Sequence, residues 1–148
     1  MSPQDQKMID DFWNDLVSLS IQIVKKEPAL EALMNKLVLT CRSFDQCLAR
    51  IISSKLASYE VDRQQLFQIC MQAYADNPNL LCDAIADVYA VVNRDPASSS
   101  IVRVLLFLKG PHVLESWRVS HWLWEKDRKD FASFLQSRIS DVFSVDIH

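Results

Sequence analysis

The sequence predicts an all-α fold, a multi-helix bundle of about eight short helices, and two observations lead to it. Apolar residues recur at three- and four-residue spacing through most of the chain, the period of a helix with one buried face. Only one glycine, Gly110, occurs in 148 residues, whereas hairpin-rich sheets need residues that tolerate positive φ at their tight turns. With 49% hydrophobic residues the chain has the length and composition of one compact domain, large enough to bury roughly two-thirds of its unfolded surface.

The elements follow in order. Ile9, Phe12, Trp13, Leu16, Leu19, Ser20 and Ile23 share one helical face, and Asp5, Asp10, Asp11 and Asp15 crowd toward the start of that segment, where the macrodipole favours them. Pro28 suits a first helical position, after which Leu30, Leu33, Met34, Leu37, Val38 and Cys41 predict a second helix. Ser43 is the expected N-cap of a third, which carries Phe44, Cys47, Leu48, Ile51 and Ile52. Asp62 caps a fourth with Leu66, Ile69, Cys70, Ala73 and Tyr74. Asn77 and Pro78 stand in cap-then-proline order before a fifth, with Leu80, Leu81, Ala84, Ile85, Val88 and Val92. Pro96 disfavours the α region at Asp95, so that helix should stop at Arg94 or Asp95 and leave the carboxylate at its end. Ser98, Ser99 and Ser100 form a polar break before Ile101–Leu108, which is apolar on nearly all sides except Arg103 and is expected to lie among neighbours or at an interface. Gly110 and Pro111 punctuate the chain before a helix from His112 through Trp124. Phe131, Phe134, Leu135, Arg138, Ile139, Val142 and Phe143 mark one side of the last helix. Val145 to His148 is too short to classify and reads as the start of another element.

Composition excludes several functions. The 16 Lys and Arg against 19 Asp and Glu leave a net charge of −3 with no basic run, so neither nucleic acid nor an anionic membrane is expected as a partner. One glycine cannot build a phosphate-cradling nucleotide loop. Cys41, Cys47, Cys70 and Cys82 contain no C-x-x-C and have no histidine at ligand spacing, so no metal site is expected, and they read as small hydrophobes in a reducing compartment. Residues 1–20 lack the basic and apolar regions of a secretory signal, and no apolar run approaches the ~20 residues of a spanning helix. The cytoplasm is the expected location.

Of three histidines, His112 and His121 are nine residues apart. At about 100° per residue they face opposite sides of one helix and cannot share a ligand. Each reads as a structural residue, and the environment of His148 is undefined. No nucleophile with a local base is recognisable. Asp95 and Asp146 stand out by position alone, and each can be a cap, a loop acid or a site carboxylate.

At these residues a family resemblance enters. Arg94-Asp95-Pro96-Ala97, then Leu105 to His112, then Trp117-Arg118-Val119-Ser120-His121-Trp122-Leu123-Trp124, then Phe134-Leu135-Gln136 and Val145-Asp146-Ile147-His148 together resemble the N-terminal helical domain of bacterial serine O-acetyltransferase. The likeness is weak before Tyr74 and close after Asp76. Pro111 departs from the aromatic usual after the Lys-Gly pair. The resemblance implies a helical domain over residues 1–144, followed at 145–148 by the first residues of a left-handed parallel β-helix of hexapeptide repeats, with the chain truncated before that domain. It implies an enzyme of cysteine biosynthesis that acetylates L-serine from acetyl-CoA, and matches Asp95 to an aspartate contacting serine or the feedback inhibitor cysteine. Asp146 matches the aspartate orienting a catalytic histidine that lies beyond His148, as do the acetyl-CoA groove and the tail that docks the cysteine synthase partner. This chain alone is accordingly expected to be inactive.

The residue types suit that chemistry. A histidine of near-neutral pKa takes the serine hydroxyl proton, a carboxylate on its other nitrogen fixes the tautomer, and a second carboxylate pairs with the substrate ammonium. The resemblance also implies a homo-oligomer, a hexamer in the family. Ile101–Leu108 with Trp117, Trp122 and Trp124 predicts self-association, with Leu106 or Leu108 on the seam. A non-catalytic helical interaction module is the alternative reading.

Overall fold

The computed structural model describes residues 1–95, 97 and 100–146. Its first helix, α1 (Pro3–Lys26), starts where Ser2 and Asp5 exchange side-chain and backbone hydrogen bonds in a capping box. Ile9, Phe12, Leu16 and Ser20 are its buried stripe, as the spacing predicts, and Lys25 and Lys26 complement its C-terminal end. The second predicted helix is broken into three pieces: a 3₁₀ turn (Pro28–Leu30), the short α2 (Glu31–Met34) and a π-helical turn (Asn35–Leu39). The π turn closes by Thr40 N–H donating to Asn35 O, 3.1 Å, and its wider spacing lets the successive residues Leu37 and Val38 both be buried.

Helix α3 (Phe44–Leu56) begins after Ser43, but the Ser43 hydroxyl donates to Asp45 instead of capping the backbone. Helix α4 (Arg63–Asp76) has the expected Asp62 cap, completed as a capping box by Gln65. Helix α5 (Asn79–Arg94) starts one turn position later than predicted, because Asn77 closes α4 through its N–H to Ala73 O. It ends at Arg94, as the following proline requires. Ser100 caps α6 (Ile101–Phe107), and α7 (Lys109–Glu125) starts earlier than expected. Gly110 and Pro111 lie inside its first turn instead of before it, where proline lacks only an orphan N–H, and a Cβ on Gly110 would meet nothing. Helix α8 (Lys129–Phe143) closes the bundle.

These eight α-helices, with no strand among the described residues, make the all-α fold the sequence predicts. Helix α3 packs along α4, α7 along α8, and α5 lies against α1, α6 and α7. The centre is filled by side chains such as Phe12, Leu16, Phe44, Ile52, Ile85, Leu105, Leu123 and Ile139, with Phe12 edge-on to Phe44 at 5.0 Å between centroids. Arg138, on the buried side of α8, donates from Nε to Leu56 O at 2.9 Å and from Nη2 to Ala57 O at 2.8 Å, closing the end of α3. Trp122 Nε1–H donates to Asp76 at 2.8 Å and Lys126 reaches the same carboxylate at 3.0 Å, tying α7 to α4.

Helix α6 is buried among its neighbours, so Leu106, 4% exposed, belongs to the core and cannot lie on a seam. Only Phe107 and Leu108 of that run are exposed apolar residues. All four cysteines are free; Cys47 and Cys70 are buried, while Cys41 and Cys82 are half-buried. Val145 and Asp146 follow α8 as irregular chain. The expectations placed on Pro96, Ser98, Ser99, Ile147 and His148 lie outside the described residues.

Candidate functional site

Asp95 sits where α5 runs out. Its N–H closes the last turn on Val91 O at 3.1 Å, its own backbone is extended, and the side chain is exposed. The carboxylate accepts the Ala97 N–H at 3.0 Å, an Asx-type turn that holds it at the helix end. From the other side, Arg103 of α6 reaches Ala97 O at 3.5 Å.

Asp146 is held at the end of α8. Ser144 turns the chain through the left-handed region at φ 57°, and its N–H donates to Ser140 O at 2.9 Å. The Ser140 hydroxyl donates to Asp146 Oδ1 at 2.9 Å. Lys109, in the first turn of α7, donates to Phe143 O at 3.2 Å and neutralises the negative end of α8. Each aspartate is therefore fixed locally, by the terminus of a different helix.

The two helical histidines separate as the angle predicts. His112 is buried, with Nε2–H donating to Leu105 O and the ring 6.4 Å from that of Phe143. Burial pushes its pKa down, so the neutral ring joins the α6–α7 corner to α8. His121 is exposed, stacks on Trp117 at 4.9 Å and pairs with Glu125 at 2.8 Å. Among the described residues no three His, Cys, Asp or Glu side chains gather as a metal site.

One polar cluster escaped the sequence reading. Arg118 of α7 donates from Nη1 to Asp87 of α5 at 2.6 Å and to Glu115 at 3.1 Å, with Asp83 at 4.0 Å from Nε. Burial opposes the Arg118 charge, but the hydrogen bonds to Asp87 and Glu115 outweigh it and raise its pKa. Burial also pushes Glu115 up to about 8, against the lowering effect of Arg118. Tyr74 of α4 directs its hydroxyl toward that carboxylate without closing a hydrogen bond. The cluster fixes α5, which carries Asp95, against α7. Its sequence signal is only Glu and Arg three apart and two aspartates four apart, a pattern common on solvated helices.

Residues 12–116 match the family model for serine acetyltransferase, N-terminal. The chain is 37% identical over 93% of its length to the serine acetyltransferase of Buchnera aphidicola subsp. Schizaphis graminum, of which it covers 53%. A solved serine acetyltransferase in complex with CoA superposes with a TM-score of 0.90 at 34% identity, over 93% of this chain and 59% of that one. The Neisseria gonorrhoeae enzyme in complex with serine superposes at 0.88 with 36% identity, over 92% of this chain and 56% of that one. The chain thus spans about half the length of the curated relatives it matches.

Proposed function

The chain belongs to the serine acetyltransferase family, and from that premise we propose that it forms the helical part of an enzyme that acetylates L-serine from acetyl-CoA in cysteine biosynthesis. The observation that carries this reading is the continuous family match from the middle of α1 into α7, the span that contains Asp95. The substrate, the co-substrate and the assembly described below all rest on that membership.

Asp95 takes the ammonium group of serine, or of cysteine as feedback inhibitor, because a carboxylate at that point selects an amino acid over a simple alcohol. Its exposure and its fixed turn support the role. Asp146 accepts the ring N–H of a base histidine that the family places outside these residues, setting the tautomer and stabilising the imidazolium. Its Oδ2 has no partner among the described residues, which leaves an acceptor for that bond. The histidine takes the serine hydroxyl proton as the oxygen attacks the thioester carbonyl, the C–S bond breaks, and the thiolate of CoA regains a proton. Acetyl-CoA is the co-substrate, and its groove and the tail docking cysteine synthase fall to the other half of the family's length. This chain supplies contacts of a homo-oligomer, a hexamer by family, in the cytoplasm. No helix among the described residues is long and apolar enough to cross a membrane.

The test uses the longest reading frame that carries this sequence. Asp95→Asn is expected to lower kcat/KM for serine about tenfold or more and to weaken cysteine inhibition, with little change in Tm. Unchanged serine kinetics with a lowered Tm would show Asp95 to be a helix cap and nothing more. The 148-residue chain alone is expected to release no thiol from acetyl-CoA in the presence of serine; release above a no-enzyme control would contradict the assignment of the base.

A further inference from the structure

Away from both aspartates, the π-helical turn, α3 and the start of α4 enclose a cleft of about 350 Å³, within the size range of small-ligand sites. Three cations line it, Lys36, Arg50 and Arg63, together with Ser54 and Gln64, and Phe67 forms an apolar wall. No carboxylate is among its described lining residues. Arg50 is held from one side only: Nη1 donates to Lys36 O at 2.9 Å and to Thr40 Oγ1, so Nε and Nη2 are left without a hydrogen bond among the described residues. The ammonium of Lys36 and the guanidinium of Arg63 likewise have no hydrogen bond or ion pair there. The buried Ser54 hydroxyl has no partner either.

These features belong together chemically. A buried hydroxyl without a bond is unfavourable unless something supplies one, and three cations sharing one concavity repel each other until a counter-charge enters. The π turn contributes to the charge, since it carries Lys36, which lines the cleft, and the Lys36 carbonyl that anchors Arg50. A polyanion is disfavoured by the net charge of −3 over the whole chain, so the ligand is a small, doubly charged group that can accept several hydrogen bonds at once.

We propose that this cleft binds a phosphate group, either as free phosphate or as a small organic phosphate monoester whose apolar part lies on Phe67. Arginine suits phosphate because its planar fork donates two parallel bonds, and Arg50 has those two donors free. Lys36 and Arg63 supply the remaining charge, and Ser54 donates its proton to one phosphate oxygen.

The test is calorimetric titration of the 148-residue chain with inorganic phosphate and with phenyl phosphate, at ionic strength held constant with sodium chloride, alongside thermal unfolding. Saturable one-to-one binding and a rise in Tm are expected. The double variant Lys36→Gln/Arg63→Gln should bind about tenfold more weakly or worse, whereas Lys25→Gln, on the exposed end of α1, should bind as the parent does. Ser54→Ala separates ligand binding from folding: the ligand-free variant should melt no lower than the parent, since its lost hydroxyl had no partner, yet bind phosphate more weakly. Tighter binding of phenyl phosphate identifies the monoester, and equal binding identifies the free anion; either supports the site. Absence of saturation by both probes, or affinity that survives in the double variant, would overturn the proposal.

Discussion

Glu115 has one oxygen in a hydrogen bond from Arg118 and the other buried without a closed hydrogen bond, the Tyr74 hydroxyl being directed toward the carboxylate. Burial pushes its pKa up to about 8, and the adjacent guanidinium and the Tyr74 hydroxyl pull the other way without cancelling it. In the unfolded chain the same group titrates near 4.5, its ordinary value. Between about 4.5 and 8 the folded form therefore holds more protons than the unfolded form, and stability falls as pH rises through that window. Glu115→Gln keeps the acceptor for Arg118 and removes the titration. Its Tm is expected to match or exceed the parent's at pH 8, with a flatter decline from pH 5 to 8. A variant whose Tm falls with pH as steeply as the parent's would mean that Glu115 is ionised throughout. The carboxylate then acts with Asp87 as the counter-charge of Arg118.

At the scale of the element, the end of α8 carries a measurable defect. Ser144 occupies the left-handed region at φ 57°, ψ 40°, where a Cβ is unfavourable and glycine is the usual residue. Its side chain is exposed and makes no hydrogen bond among the described residues, so nothing is lost when it is removed. Ser144→Gly is expected to stabilise the chain by roughly 0.5–1 kcal/mol, or about 2 °C in Tm. A lower Tm would show that loop entropy outweighs the relieved strain. The same turn aims Asp146 back at Ser140, so the placement of this carboxylate depends on how the helix ends, as that of Asp95 depends on the end of α5.

At the scale of the whole molecule, four of the nine large apolar residues left exposed among the described residues lie late in the chain, the others being Met1, Met8, Ile21, Tyr59 and Tyr89. Phe107, Leu108, Leu114 and Trp124 are all exposed, and all belong to the α6–α7 segment. Sedimentation at micromolar concentrations is expected to show a dimer or larger species, in keeping with an assembly role. Leu108→Asp, at a site 38% exposed, should dissociate it while leaving the helical content intact. Leu106→Asp should instead unfold the domain, since an unpaired charge in the core destabilises by about 4 kcal/mol or more. A single species of 17.0 kDa at every concentration would show that the remaining apolar faces are no interface.

The helices were legible in the sequence because a helix is a local structure with a local period. The stripe of α1, the Asp62 cap and the stop of α5 before a proline need no knowledge of the rest of the chain. The two candidate aspartates were legible as positions, and the roles proposed for them rest on the family resemblance alone, because a carboxylate at a helix end looks the same whether it binds or merely caps. What lies between distant segments was not legible. Arg138 closing α3 across 81 and 82 positions, the π turn braced by Arg50, and the Glu115–Arg118–Asp87 cluster each join residues whose own surroundings in sequence are ordinary. Leu106 shows the same limit from the apolar side: its neighbours in sequence are all hydrophobic, so no period can say whether it faces the core or a partner. Packing against α1, α5 and α7 decided that, because burial is a property of the assembled bundle and not of the segment.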